Sequence, residues 1–578
     1  MAAETYGALP VLYLDSARVP PAVSTAIRRV VIDSDLAAPD ACRVVLDDPG
    51  RQLLTVGGFD FHKTLRVTAP PAADPTGAAA ETTLFEGRVY SLGISYDELG
   101  SHTVIVAYDS SYALFNGVHT ATYHNVTDSD LVSMIAGKAG IDTGTIAATS
   151  VVHDHVGQIS ETYWDFLTRR AREIGYVLRV RGNRLEFDRP APADEAPGPG
   201  GFDSRDHLQL TPGGDLEVFT ARVTAAQQVT EAEVRGWDDR AKQEVVATAR
   251  ARTSSAQLPD EPATLGAGNA NARFTAAARP LATQAECDAM VAALAERIAS
   301  TSAAAEGVAH GDPRILAGVA LSVGRTGGRF DGKLTVSHAE HVFDHSGYRT
   351  RFTVAGGHDR SLLGLVAAAG GARGGNPTIP GVVPGIVSNI NDPEARGRVR
   401  VRLPWLSAEY ETYWARVAFA GAGADRGLLI PPEVDDEVLV AFEQGDPRRP
   451  FVLAGLYNGV DAPPFEGGVD TATGLAVRRG LRTRQGHEIM ISDADGDEHV
   501  EIRTRDGRVR IRLDHDAGGL TIETDSDVEI RAGGNLRMTA NGDLEISARG
   551  SASLSADGGV TVTSSADVTV QGSQIKLN

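Results

Sequence analysis

The sequence is poor in the residues that mark disulfide-linked, metal-binding or secreted proteins. Its only cysteines are Cys42 and Cys287, which lie far apart and in no metal-ligand spacing, so neither a disulfide framework nor a zinc site is expected. The start of the chain lacks the basic and apolar regions of a signal peptide, and no run of eighteen apolar residues occurs. We therefore expect synthesis in the cytoplasm without a signal peptide, and a route other than general secretion if the protein leaves the cell.

Positive charge is also scarce. The 55 lysines and arginines are outnumbered by 76 acidic residues, and the resulting net charge of −21 argues against nucleic acid as a partner. Methionine and tryptophan are rare whereas glycine is frequent, with 63 residues, which indicates a β-rich protein with many turns. A chain of 578 residues is too long for one core and predicts three to five domains.

The histidine and carboxylate clusters match no complete metal site. His338, His341 and His345, with Glu340 and Asp344, could bind a metal, but no helix is indicated that would align them. Asp493 to Asp497 is similar to a calcium loop, yet the position that needs a bidentate glutamate holds Thr504. A hairpin turn is the better interpretation of that segment.

Catalytic motifs are incomplete as well. His153-Asp154-His155 could orient a base, but no Gly-x-Ser-x-Gly elbow accompanies it, and Ser160 is predicted to cap a helix instead. His487-Glu488 lacks the second histidine of a zinc-protease helix. We predict no catalytic, cofactor-binding or metal-binding residue and no cofactor.

The C-terminal 80 or so residues repeat with a period of eight. Two positions in each unit lie on one face of a short strand, and glycine-rich corners separate the units. The predicted core positions are Val528, Ile530, Leu536, Met538, Leu544, Ile546, Leu554, Val560, Val562, Val568 and Val570. So short a strand cannot bury its inner face alone, so the array must stack on itself or on copies of itself. A short terminal sheet, a single-chain β-helix and a prism of three chains all satisfy this requirement.

The remainder of the chain divides into further β-rich regions. Alternating strands up to Val126 are followed by helices predicted after Thr127, Ser160 and Thr283, the last burying Cys287 in a core. About five short strands between Gly381 and Tyr457 suit a small OB-fold barrel. The predicted domains are 1–375, 376–462, a segment of linker and lead-in strands at 463–499, and the octad array at 500–578.

A family resemblance rests on motifs spread along the chain. In the OB region they are Asn391-Asp-Pro393, Gly397-Arg-Val-Arg-Val, Pro404-Trp405, Trp414-Ala-Arg-Val, Asp436-Glu-Val438 and Phe442-Glu-Gln-Gly-Asp-Pro447. Together with Trp164-Asp-Phe-Leu upstream and Gly486-His-Glu-Ile downstream, they resemble VgrG-type spike proteins of contractile injection systems. One departure is Asp435, where the family usually has glycine; aspartate tolerates the left-handed backbone region better than most residues.

The resemblance implies a mainly β fold. Its parts would be an α+β hub of phage-hub-like barrels, an OB-fold barrel and a C-terminal trimeric β-helix or β-prism. It also implies a homotrimer that acts as a structural spike rather than an enzyme, touches the target membrane only during piercing and is delivered on contraction. The implied partners are tail tube and baseplate proteins, a conical PAAR-repeat tip protein and effector cargo.

The end of the sequence and the outer faces of the octads support two further expectations. The octads are followed directly by Ile575, Leu577 and Asn578, which we predict to bind the tip protein because a blunt prism end exposes apolar residues and strand edges. The alternative function is a β-helical polysaccharide depolymerase. Such enzymes need paired carboxylates beside aromatic residues, and the chain has no aromatic residue after Asp514.

Overall fold

A computed structural model gives the fold of the chain. It describes residues 9–69, 81–98, 100–181, 183–198, 206, 208–269, 272–277, 280–355 and 378–576. Two compact units divide the chain, Met1–Val460 and Asp461–Asn578, and β-strands make up most of the regular secondary structure described in both. The predicted linker at Gly370–Gly375 lies outside the described residues.

A large antiparallel sheet, here called the hub sheet, organises the first unit. In order across the sheet, its described strands are Leu216–Val223, Ala303–His310, Gly347–Val354, His338–Asp344, Ile27–Asp35, Ala41–Asp47, Gly100–Tyr108, Thr82–Asp97, Thr64–Ala69, Val11–Leu14 and Ala17–Arg18. Val31 lies opposite Val342, so two segments far apart in the sequence meet at the middle of the sheet. Alternation along Ile27–Asp35 buries Val30 and Ile32 in the core.

Four smaller sheets complete the hub. Their described strands are His119–Val126 with His153–Glu161; Thr143–Ile146 with Val177–Arg181 and Arg184–Asp188; Gln209–Leu210 with Ala320–Val323, Gly332–Thr335 and Ala256–Gln257; and Glu231–Asp238 with Gln243–Arg250 and Arg273–Ala276. The described α-helices of the unit are Pro21–Ser24, Leu53–Gly57, Asp128–Ala139, Tyr163–Glu173, Pro262–Gly266 and Gln284–Ser300. Short 3₁₀ segments lie at Ser110–Phe115, Ala193–Glu195 and Glu443–Gly445.

Helix starts follow the predicted capping chemistry with one correction. The helices that begin at Asp128 and Gln284 each start with a capping box, Thr127 with Asp130 and Thr283 with Glu286. The prediction that Ser160 caps the second helix is wrong. Ser160 belongs to the preceding strand, and the hydroxyl of Thr162 accepts a hydrogen bond from the backbone N–H of Asp165 instead.

The predicted OB barrel is present as a five-stranded sheet. Its strands, in order across the sheet, are Arg400–Arg402, Val382–Asn389, Glu437–Phe442, Pro450–Gly455 and Arg416–Val417. Val387, Val401 and Val440 are buried together in its core, and Ile159 from the hub packs into the same cluster. The barrel is therefore packed against the hub within the first unit.

Asp435 adopts the backbone geometry expected of the glycine that it replaces. Its φ of +75° lies in the left-handed region, and its backbone N–H donates to the carbonyl oxygen of Val387 at 2.9 Å. The turn that leads into Glu437–Phe442 is thus kept although the side chain has changed.

Candidate assembly surface

The second unit begins with an antiparallel meander, which we call the collar. In order, its strands are Arg478–Arg482, Glu488–Ala494, Asp497–Arg503, Val509–Asp514 and Gly519–Thr524. Gly496, Gly507 and Gly518 provide positive φ angles in the three connections that follow the second strand. Asp493 and Asp497 flank the first of these, which confirms the hairpin interpretation of that segment.

Aliphatic side chains line one face of the collar. Direct cross-strand partners include Ile489 with Ile502, Ile491 with Val500, Ile502 with Ile511, Val500 with Leu513, Ile511 with Ile522, and Leu513 with Leu520. Opposite residues of antiparallel strands project to the same side, so these side chains form one continuous patch. All of them are exposed, Ile502 by 48% and Leu520 by 62%.

The opposite face of the collar is polar and largely buried. Glu488 and Glu501 are only 3% and 4% exposed. Arg503 Nε lies 2.6 Å from a Glu488 carboxylate oxygen, and Arg510 Nε lies 2.6 Å from one of Glu501. Arg512 joins this network through Asp497 and Asp514 at 3.0 and 2.9 Å. The collar therefore satisfies its charges within one chain and leaves its apolar face open.

The octad array follows the collar and shows the predicted period. The chain bends at 525–526, 533–534, 541–542, 549–550, 557–558 and 565–566, so the bends recur every eight residues. Between residues 526 and 576 no described segment pairs as a strand, and every residue from 525 to 576 is exposed. The predicted core positions, from Val528 to Val570, are therefore open to solvent in the single chain.

Backbone groups of the array also lack backbone partners among the described residues of their own chain. The N–H groups of Ser526 and Ala566 donate only to the hydroxyls of Thr524 and Ser564. The last hydrogen bond between backbone groups among the described residues is the one from Asp525 N–H to the carbonyl oxygen of Arg508. Beyond it, the polar contacts are local, such as the ion pair between Arg531 and Glu529. Of the predicted tip-binding residues, Ile575 is exposed, whereas Leu577 and Asn578 lie outside the described residues.

Of the histidines considered as metal ligands, His341 serves a buried structural contact. His341 is fully buried, with Nδ1 2.9 Å from the Tyr348 hydroxyl, and burial lowers the pKa of its imidazole to about 4. It lies in strand His338–Asp344, which sequence reasoning missed, and that strand aligns with two neighbours of the hub sheet. No metal-binding group of His, Cys, Asp and Glu occurs among the described residues.

A second buried polar group joins two hub helices. Arg170 donates to Asp128 through Nε at 2.7 Å and to Glu173 through Nη1 at 2.6 Å, and all three side chains are at most 12% exposed. Burial alone would raise the pKa of Asp128, but the positive charge of Arg170 holds it below the ordinary value. His153 Nε2 lies 3.1 Å from Asp128. The arrangement supports helix packing and leaves no carboxylate open to a substrate.

In two motifs of the resemblance, an arginine and an aspartate form a bidentate pair that holds a turn of the OB barrel. Arg398 Nε and Nη2 donate to the two carboxylate oxygens of Asp392 at 3.0 and 2.6 Å, and these bonds hold the pKa of Asp392 well below its ordinary value. Arg448 binds Asp446 in the same bidentate way, and the shortest distance, 2.7 Å, joins Nη2 to a carboxylate oxygen. Sequence reasoning missed a further pair of this kind in the hub, where Arg314 donates to Asp312; the Asp-Pro-Arg spelling that it shares with Asp446 to Arg448 could have revealed it.

No helix among the described residues is both long enough and apolar enough to cross a membrane.

Two known protein families match parts of the chain. Residues 383–457 match the family described as the type VI secretion system/phage-baseplate injector OB domain. Residues 77–344, within the hub, match the family described as the Alg8 N-terminal domain. The first match covers most of the five-stranded barrel.

Individual relatives cover a small part of the chain. The type VI secretion system spike protein VgrG3 of Vibrio cholerae is 32% identical over 125 residues, or 21% of this chain and 12% of the relative. The corresponding protein VgrG1a of Pseudomonas aeruginosa is 34% identical over 113 residues, or 18% of each chain. The chain therefore spans less than a fifth of the length of these curated relatives.

Solved structures extend the likeness to the fold of most of the chain. One similar structure is the half-lidded Francisella PdpA-VgrG complex. The alignment with its matching chain covers 89% of this chain and 88% of that one, with a TM-score of 0.51 and 8% sequence identity. At that identity the match concerns the fold alone. Together with the matches in the OB region, it confirms the resemblance to VgrG-type spike proteins and phage baseplate hubs.

Proposed function

We propose, from the confirmed resemblance to VgrG-type spike proteins, that this chain is the trimeric hub and puncturing spike of a contractile injection apparatus. In this role it conducts force and carries partners, but makes and breaks no covalent bond. It is assembled from cytoplasmic protein and delivered outside the cell or into the target on contraction. Tail tube and baseplate proteins contact the hub, and effector cargo travels with the spike.

One observation carries the proposal most directly, namely the reversed burial of the collar. A sheet normally buries its apolar face and exposes its charged face, whereas here Glu501 is buried and Ile502 is exposed. The open backbone of residues 526–576 adds a row of N–H and C=O groups without backbone partners, to which further strands can pair. Copies of the same chain supply both an apolar face and strands of the same period. The octads then wind into the predicted three-chain β-prism.

The mass of the intact protein in solution tests this proposal. Light scattering should give three times the chain mass of 60.8 kDa, with no dissociation on dilution to the nanomolar range. Ile546→Asp should weaken the trimer, so that it dissociates on dilution, because it places three carboxylates around the axis of the prism. Glu545→Lys is the matched control on the adjacent outer position and should leave the mass unchanged. A stable monomer of the unaltered chain would contradict the proposal.

We propose further that the C-terminal end of the prism binds a PAAR-repeat tip protein. Ile575 is exposed, and in the proposed prism three copies of this residue lie side by side as an apolar patch. Deleting residues 575–578 should abolish co-purification of the encoded tip protein while the trimer mass persists. Retention of the tip protein by the shortened spike would assign its binding site to another part of the chain.

A further inference from the structure

We infer that the collar sets the register of the three chains, and that the octad array, which cannot set it, zips up afterwards from the collar towards the C-terminus. This inference rests on the proposed trimer. It assigns the apolar face of the collar to a second and a third copy of the same chain. Three observations carry it. The array repeats, the connections of the collar differ in length, and the collar strands pair within one chain whereas the octads do not.

The octad array cannot specify its own alignment. Each unit repeats two apolar positions and a bend at the same spacing, from Val528 and Ile530 to Val568 and Val570. If one chain slips by eight residues, aliphatic side chains still face aliphatic side chains and bends still meet bends, and contacts are lost only at the end. Strand register is weakly specified wherever such a shift preserves the buried pattern. The repeat that builds the prism thus also permits misaligned prisms.

The collar lacks this degeneracy. Its last three connections contain two, five and four residues, at 495–496, 504–508 and 515–518, so a shifted neighbour would oppose strands to loops. The strands are also fixed within each chain by a continuous hydrogen-bonded ladder from Arg478 to Thr524. A collar can therefore meet another collar only as a complete sheet. One alignment places every aliphatic residue of the face, such as Ile511, against its counterparts.

The same contrast gives the order of assembly. The collar strands pair within one chain, so its apolar face exists before association. The described octad residues have no strand pairs and no hydrogen bonds between backbone groups. Chains that meet at preformed collars bring residues 525–526 of all three copies together, and each octad then closes a short loop rather than a long one. Assembly from the C-terminus towards the collar would have to begin from octads that have no strand pairing of their own.

The test uses cysteines at two inner octad positions one period apart. L554C and V562C chains are co-expressed, purified as trimers, oxidised mildly and analysed by mass spectrometry of the disulfide-linked peptides. The native thiols give little background because Cys42 and Cys287 are buried and burial raises the pKa of both. With aligned chains we expect links between like positions only, 554 with 554 and 562 with 562.

A deletion then shifts the register while the collar stays intact. The V562C chain is rebuilt without the octad 543–550 and co-expressed with the full-length L554C chain. If the collar sets the register, position 562 moves to the level of position 554, and links between the two become the major mixed product. Mixed trimers that hold no such links would overturn the inference.

A change in the collar provides the converse experiment. Ile511→Ser, in otherwise full-length L554C and V562C chains, should produce 554–562 links that the unaltered collar suppresses. Thr521→Ser, on the opposite face of the neighbouring strand, is the matched control and should not produce them. A trimer of Ile511→Ser chains that remains wholly aligned contradicts the inference but not the proposed function. A monomeric unaltered chain contradicts both, so the two failures are distinguishable.

Discussion

Ile32 and Ile511 are both isoleucines on antiparallel strands, in which successive side chains point to opposite faces, yet their surroundings differ. Ile32 in the hub sheet is fully buried, whereas Ile511 in the collar is 36% exposed. The hub sheet is covered by elements of its own chain, whereas no described residue of the Asp461–Asn578 unit covers the apolar face of the collar in the same way. Alternation therefore determines which side chains share a face, but not which molecule covers that face.

The largest effect should come from a charge on the face that other copies cover. Ile546→Asp should destabilise the trimer by several kcal/mol for each copy, because a carboxylate without a partner is removed from water. The hub should still unfold at its usual temperature, since its core lies within the chain. Calorimetry, with Glu545→Lys as the control, resolves the two transitions. Equal melting of the two variants would show that the inner face has been assigned wrongly.

Leucine truncations in the two regions should differ in their dependence on concentration. Leu403→Ala removes a fully buried side chain of the OB barrel and should cost about 2–5 kcal/mol at any protein concentration. Leu513→Ala, on the open face of the collar, should lower stability only through association, so its effect on the melting temperature should change with dilution. Thermal melts over a hundredfold range of concentration make the comparison. A Leu513→Ala effect that is independent of concentration would mean that its own chain covers this residue.

Lowering the pH should reduce the free energy of unfolding of the hub even before the carboxylates begin to bind protons. Burial lowers the pKa of His341 to about 4, so the folded hub keeps this imidazole neutral while the unfolded chain binds a proton near pH 6.5. This contribution is fully present above pH 6.5 and is lost as the pH falls towards 4, up to about 3 kcal/mol. His155, whose pKa is also lowered to about 4 by burial, should act in the same direction.

Denaturant unfolding of the hub between pH 7 and pH 4 measures this slope. His341→Gln, which cannot titrate, should flatten it even if the variant is less stable at neutral pH. A slope that is unchanged in His341→Gln would show that this histidine is not the group that binds the proton on unfolding.

The smallest effect concerns the turn at Asp435. Asp435→Gly should raise stability by about 1 kcal/mol or less, because glycine adopts a φ of +75° without steric strain but loses more conformational freedom on folding. Asp435→Ala should lower stability by a similar amount. The melting temperature of the OB barrel checks both variants, and a loss of stability in the glycine variant would indicate that the carboxylate itself contributes, for instance through Arg402 at 3.6 Å.

Local chemistry was predictable from the sequence because it depends on neighbouring residues. The helix cap at Thr127, the capping box at Thr283, the hairpin between Asp493 and Asp497 and the left-handed turn at Asp435 are all present. The period of eight was predictable for the same reason. Bends recur at that spacing because each octad carries its own corner residues.

Long-range pairing was not predictable, since alternation records that a face is buried but not against which strand. Nothing in the local sequence shows that Ile27–Asp35 pairs with His338–Asp344, or that residues 478–524 form an intrachain meander before the octads begin. The burial of Glu501 beside Arg510 was likewise not predictable, because charged residues of both types usually lie on a solvent-exposed surface. The sequence by itself determined the local turns, the helix starts, the apolar faces and the octad period. Only the tertiary structure decided which strands meet and which apolar face stays open, because these depend on contacts between segments that are distant along the chain.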